Sequence, residues 1–132
     1  MNGVMTETVR LAAVSLDAAQ PRPLAEFYRR LLELEIAFET DDFVALKGGG
    51  ILVTVQRVAD HVAPDWPAAT VPKQVHLELA VDDLDEAERL ALSLGAVRPA
   101  EQPAPGKWTV LIDPAGHPFC LTALIPKELI GG

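Results

Sequence analysis

The sequence predicts an α+β fold built from two βαβββ modules with a site between them. Three observations predict it. Residues 8–17 and 74–81 both alternate like strands and both run into helical patterns. Each helix is followed by further strand-like segments and a glycine turn. A gapped comparison of the halves pairs Ala13 with His76, Phe43 with Trp108, Gly50 with Gly116, and Thr54 with Cys120.

In the first strand Ala12, Val14 and Leu16 point to one face, and Ala13, Ser15 and Asp17 to the other. Pro21 and Pro23 suit a helix start, where a missing N–H costs nothing. Leu24, Phe27, Tyr28, Leu31 and Leu32 then give one apolar stripe, to about Leu34. Glu26 and Arg30 are spaced for an i,i+4 pair on the outer face. Strands are expected over 36–39, 43–46 and 51–56. Asp41 and Asp42, then Gly48, Gly49 and Gly50, supply the turns.

Residues 57–73 have no periodicity and contain Pro64, Pro67 and Pro72, so they read as a linker between module 1 (about 8–56) and module 2 (about 74–124). Ordered loops of this length often act as lids. In the second half Asp83 is placed to cap a helix, with Glu86 as its capping-box partner. Leu84, Ala87, Leu90, Ala91 and Leu94 form the buried stripe and Gly95 ends it. Strands are expected near 96–98, 108–112 and 119–123, and the tail 125–132 reads as frayed or packed on a partner.

The chain of 132 residues fits one domain, and its apolar fraction of 49% is ample for a core. No apolar run is long enough to span a membrane, and the first residues do not read as a secretory signal. One cysteine, Cys120, excludes an internal disulfide and fits a reducing cytoplasm. A net charge of −8 with scattered basic residues argues against nucleic acid as a partner. It fits solubility, and favours neutral or cationic small ligands over anionic ones.

Together, Leu24-Ala25-Glu26-Phe27-Tyr28, Asp65-Trp66-Pro67, the segment from Val75 to Leu84 and the segment from Asp113 to Cys120 resemble the vicinal oxygen chelate superfamily. That superfamily includes glyoxalase I, extradiol dioxygenases and bleomycin-resistance proteins, and the match is to its bacterial glyoxalase-like group. The resemblance covers nearly the whole chain. It implies two βαβββ modules whose curled mixed sheets surround a small-molecule cavity, in a homodimer.

The resemblance also implies where a metal would sit. Metal-using members place two ligands on each module, usually His and Glu. The matching positions here are Ala13, Thr54, His76 and Cys120, with Gln56 an alternative register for Thr54. Ala13 has no donor, and Thr54 or Gln56 would be a weak ligand. Only His76 and Cys120 remain as metal candidates. Glyoxalase I chemistry needs a base and a metal to stabilise an enediolate, and neither family glutamate is present. No cofactor is expected on this count, a divalent metal being the alternative.

Other polar groups share these faces. Glu78 lies on the face of His76, and Asp17 on that of Ala13, so either carboxylate can act as a base if its face lines the cavity. Trp66 in the linker and Trp108 are candidates to stack on a flat ligand. The ligand-binding candidates are therefore Asp17, Thr54, Gln56, Trp66, Trp108 and Cys120, with His76 and Glu78 as a catalytic pair. His117 reads as structural, His61 as solvated and Tyr28 as core. Three functions follow in order of preference. The first is a small-molecule-binding protein without the full family metal site. The second is a lyase, isomerase or dioxygenase using a noncanonical metal or the His76–Glu78 pair. The third is a protein-binding module with a vestigial cavity.

Overall fold

The computed structural model describes residues 9–130. Thr8, where the first strand was expected to begin, the start of the chain read for a signal, and the last two residues of the tail lie outside them. Two mixed sheets carry the fold. In the first, β1 (Ala13–Ala18) lies parallel to β4 (Ile51–Arg57), which continues antiparallel to β3 (Phe43–Gly49) and then β2 (Glu35–Glu39). In the second, β5 (Leu77–Ala80) lies parallel to β7 (Pro118–Thr122), which pairs antiparallel with β6 (Trp108–Ile112). Helix α1 (Pro21–Leu31) follows β1 and helix α2 (Leu84–Ser93) follows β5. The expected duplication is thus present in the pairing itself.

The strand faces divide as alternation requires. Leu16, Ala18, Val44, Leu46 and Val55 pack with Leu24, Phe27 and Tyr28 of α1 in the core. Ala91 of α2 joins Leu111, Phe119 and Leu121. The modules meet through aromatic edges: the Phe119 ring of β7 lies 5.8 Å from Phe27 and 6.1 Å from Tyr28. The Tyr28 hydroxyl donates to Asp113 Oδ2 at 2.7 Å. Across the same contact, His117 Nε2 donates to the Asp17 carbonyl at 2.7 Å.

Several local expectations change. Helix α1 stops at Leu31, with Leu32 as C-cap and Glu33 at φ 54°, so Leu34 is buried from the turn rather than the helix. Glu26 takes Arg29 at 2.7 Å as its main partner, and Arg30 stands at 3.9 Å. Asp83 caps α2, its carboxylate accepting from Glu86 N at 3.0 Å. Residues 74–76 precede β5 instead of belonging to it. Pairing begins at Leu77↔Phe119 because the partner strand starts at Pro118, which has no N–H to give.

The strand expected at 96–98 is reduced to a single bridge, Val97↔Ile112. Pro99 and Pro103 interrupt the chain, and a side chain takes over the sheet edge. Gln102 Oε1 accepts from Val110 N at 2.8 Å, and its Nε2 donates to Val110 O at 3.0 Å. The amide thereby mimics one residue of a neighbouring strand, leaving the second sheet with three strands. Residues 127–130 of the tail form a turn of 3₁₀ helix. Among the described residues, no helix is long and apolar enough to cross a membrane.

Candidate functional site

The face of β5–β7–β6 opposite α2 forms the floor of a groove of about 490 Å³. His76 sits just before β5 and Glu78 is two residues on, so both side chains fall on this face. Cys120 lies directly opposite Glu78 on β7. Trp108 opens β6, and the linker brings Trp66 and Lys73 to the groove. The linker is fixed there by Asp65, whose Oδ1 accepts from Val71 N at 2.5 Å and whose N–H donates to Val71 O at 3.0 Å. The bond from Val71 holds the Asp65 carboxyl below its ordinary range. The Trp66–Pro67 peptide between these contacts is cis.

His76 Nε2 lies 2.5 Å from Glu78 Oε2. Their side chains remain 33% and 45% exposed, so both are open to a molecule entering the groove. Cys120 is buried beneath them. Burial, and then the neighbouring Glu78 carboxylate, push its thiol up to about 11. The imidazole nitrogen, the carboxylate and the sulfur all lie within 4.8 Å of one another.

Asp17, Thr54 and Gln56 stand together on the other sheet. Ser15 faces Thr54 and Asp17 faces Gln56 across β1 and β4. The Ser15 and Thr54 hydroxyls hydrogen-bond to each other, and Gln56 Nε2 donates to Asp17 Oδ1 at 3.0 Å. None of these lines the groove over the second sheet. Asp17 borders a smaller cavity of about 290 Å³ between the modules, with Tyr28, His61 and His117, and this cavity shares Lys73 and His76 with the groove. His61, expected in solvent, is half-buried there. Its ring lies 5.1 Å from that of His117, and its Nε2 donates to Ala115 O at 3.1 Å.

The structure therefore gathers Trp66, His76, Glu78, Trp108 and Cys120 in one groove, brings Asp17 to His76 in the smaller cavity, and leaves Thr54 and Gln56 outside both. Lys73 joins the first group without a sequence signal, since it sits in the aperiodic linker. Ser15 was legible only as a neighbour on the face of Ala13 and Asp17.

A family model described as a glyoxalase-like domain matches residues 13–122. The chain belongs to this glyoxalase-like family. It is a member of the vicinal oxygen chelate superfamily, and solved structures share its fold. A glyoxalase/bleomycin resistance protein/dioxygenase family enzyme from Burkholderia phytofirmans PsJN aligns with a TM-score of 0.67 at 16% identity, covering 86% of this chain and 97% of the other. The bleomycin-binding protein of Streptomyces verticillus, in complex with copper(II)-bleomycin, aligns at 0.58 and 19% identity, over 88% and 97%. A lactoylglutathione lyase from Agrobacterium tumefaciens aligns at 0.60 and 19% identity, over 89% and 95%. At these identities the likeness extends to the fold alone. No curated protein matches the chain.

The four-ligand metal set of the superfamily does not fit this glyoxalase-like protein. Ala13 offers no donor atom, and the Thr54 hydroxyl is engaged by Ser15. Gln56, the alternative position, is committed to Asp17.

Proposed function

We propose that this glyoxalase-like protein binds a small, flat organic molecule in the groove over its second sheet, without the full family metal site. One observation carries the reading: Trp66 and Trp108 border the same groove as His76, Glu78 and Cys120. Aromatic walls supply stacking area, and a few polar groups fix orientation, which is the usual make-up of a small-molecule site. The exposed Glu78 carboxylate favours a cationic ligand. The single cysteine supports a cytoplasmic setting. A homodimer is supported by the exposed edge strand β2, which leaves Ile36 47% and Phe38 57% accessible.

A second reading is a lyase, isomerase or dioxygenase reaction. It is favoured by the 2.5 Å His76–Glu78 contact at an open groove floor, an arrangement suited to moving a proton. The first test is a tryptophan-fluorescence titration with cationic aromatic compounds. Bleomycin, bound by one structural neighbour, heads the series. Saturable quenching of the remaining tryptophan in each of Trp66→Phe and Trp108→Phe supports the reading, since the chain has two tryptophans and both border the groove. A remaining tryptophan whose emission the ligand leaves unchanged in either variant moves the ligand to another surface and overturns it.

A further inference from the structure

We infer that the cavity between the modules is a second compartment of the binding site, which takes a guanidinium group carried on a short alkyl chain by the flat ligand of the groove. The inference deepens the proposed role of the groove and rests on it for the aromatic part of that ligand. The cavity of about 290 Å³ shares Lys73 and His76 with the groove, so one elongated molecule can border both. Val14, Leu16, Val71 and Pro72 give it an apolar wall for the methylenes.

The polar lining is rich in acceptors. His61 Nε2 donates to Ala115 O, and His117 Nε2 donates to Asp17 O. A carbonyl oxygen can only accept, so each neutral ring carries its proton on Nε2 and keeps Nδ1 as an acceptor. Among the described residues neither Nδ1 has a hydrogen-bond partner. Asp17 adds a carboxylate. Gln56 Nε2 occupies its Oδ1 at 3.0 Å, and its Oδ2 has no hydrogen-bond partner among the described residues. An anion would meet this lining with like charge and no free donor from it except Lys73, at the junction with the groove.

The spacing of the acceptors selects among cations. Asp17, His61 and His117 do not close up into a three-ligand metal cluster, as His76, Glu78 and Cys120 do. A point cation therefore cannot satisfy all three at once. The His61 and His117 rings are 5.1 Å apart, and they stand on the linker and on the turn before β7, while Asp17 stands on β1. A guanidinium is a planar fork whose N–H groups point outward from several nitrogens, so it reaches separated acceptors that one ammonium cannot. Lys73 at the junction is left beside the neutral chain rather than beside the charge.

The test uses the full chain and calorimetry with three ligands that share an aminoquinoline head. One carries an N-guanidinopropyl chain, one an N-aminopropyl chain and one an N-butyl chain. Ratios of affinity between them cancel the contribution of the head. The guanidino ligand is expected to bind roughly tenfold tighter than the butyl ligand, with the amino ligand between them. Asp17→Asn keeps an oxygen for Gln56 and should cut the guanidino-to-butyl ratio to about twofold. Val75→Lys, at an exposed position on the cavity lining, should also lower it. Glu101→Gln removes an exposed acid that lines neither compartment and should leave the ratio unchanged. Equal binding of the guanidino and butyl ligands overturns the inference, as does tighter binding of the amino ligand. So does a ratio that survives Asp17→Asn, or one that falls as far in Glu101→Gln, which would reduce the effect to net charge. Propylguanidinium alone is titrated while the His61 and His117 imidazole resonances are followed by NMR. Shifts there with no binding of the bare aminoquinoline mean that the groove reading fails and the cavity stands. Aminoquinoline binding with no imidazole shift from either guanidinium compound means the reverse.

Discussion

Glu78 faces Cys120 across β5 and β7 in the register position where Ser15 faces Thr54 across β1 and β4. The two modules thus use one strand frame to hold different chemistry. In the first, two hydroxyls satisfy each other. In the second, a carboxylate stands over a buried thiol.

That correspondence predicts that Cys120→Thr is tolerated. The substituted hydroxyl has Glu78 as acceptor, much as Thr54 has Ser15, and the volume is nearly conserved. The expected cost in urea denaturation of metal-free protein is below about 1.5 kcal/mol near pH 7. The pH dependence gives the sharper check. The folded thiol is raised from 9.0 to about 11, mainly by burial, so the folded state holds its proton more tightly than the unfolded chain. Stability from this group is complete below pH 9 and is lost as pH rises toward 11. Wild type should lose stability relative to Cys120→Thr over that window. A constant difference would show that the thiol does not titrate there.

The strands and helices of the first module were readable because β1, α1, β3 and β4 carry strong periodicity and proline or glycine boundaries. The second module was readable at its helix, through the Asp83 cap, and at β6 and β7. The missing strand at 96–98 was not readable, because its substitute is the Gln102 side chain, and an amide pairing with a sheet edge leaves no periodic trace. The site was legible in part. His76 and Glu78 share a face by simple alternation. Their convergence with Cys120 needs the parallel register of β5 and β7, which no local pattern encodes. The separation of Asp17 and Gln56 from the groove likewise depends on how the modules pack.

Tyr28 and Asp113 make the most buried polar contact between the modules, at 2.7 Å. Burial raises the Asp113 carboxyl, and the Tyr28 hydrogen bond is the main influence holding it down. Tyr28→Phe leaves a buried carboxylate oxygen without that donor, and is expected to cost about 1–3 kcal/mol near neutrality. It also raises the carboxyl further. A raised carboxyl contributes stability below its unfolded value of 3.8 that is lost as pH rises through the folded value. The penalty of Tyr28→Phe should therefore grow as pH is increased from about 4 toward neutrality. Urea melts at four or five pH values would measure it, and a flat penalty would sink the assignment.

Lys73 and Glu78 bring opposite charges to one groove. For a cationic aromatic ligand, Glu78→Gln is expected to weaken binding several-fold, whereas Lys73→Ala should strengthen it. Both effects should shrink as ionic strength rises, because the groups are solvent-accessible and screened within about 10 Å at 0.1 M salt. Fluorescence titrations at two salt concentrations decide the point. Equal affinity in both variants would remove electrostatics from recognition.

Gly116, in the turn between β6 and β7, has a φ of 92°, where a Cβ is strained. A Cβ there would also meet the Ala63 Cβ inside van der Waals contact. Ala63 belongs to the same linker as Trp66 and is not the far end of a flexible side chain, so the clash is relieved only by moving backbone. Gly116→Ala is therefore expected to destabilise the fold by about 1–3 kcal/mol, from strain and overpacking together. It should also shift the linker and change Trp66 emission, although Gly116 itself does not line the groove. The double variant Gly116→Ala with Ala63→Gly separates the two causes. Removing the Ala63 methyl should restore the Trp66 emission and part of the stability, leaving the backbone strain. If emission stays wild-type in Gly116→Ala, the turn does not set the linker's position.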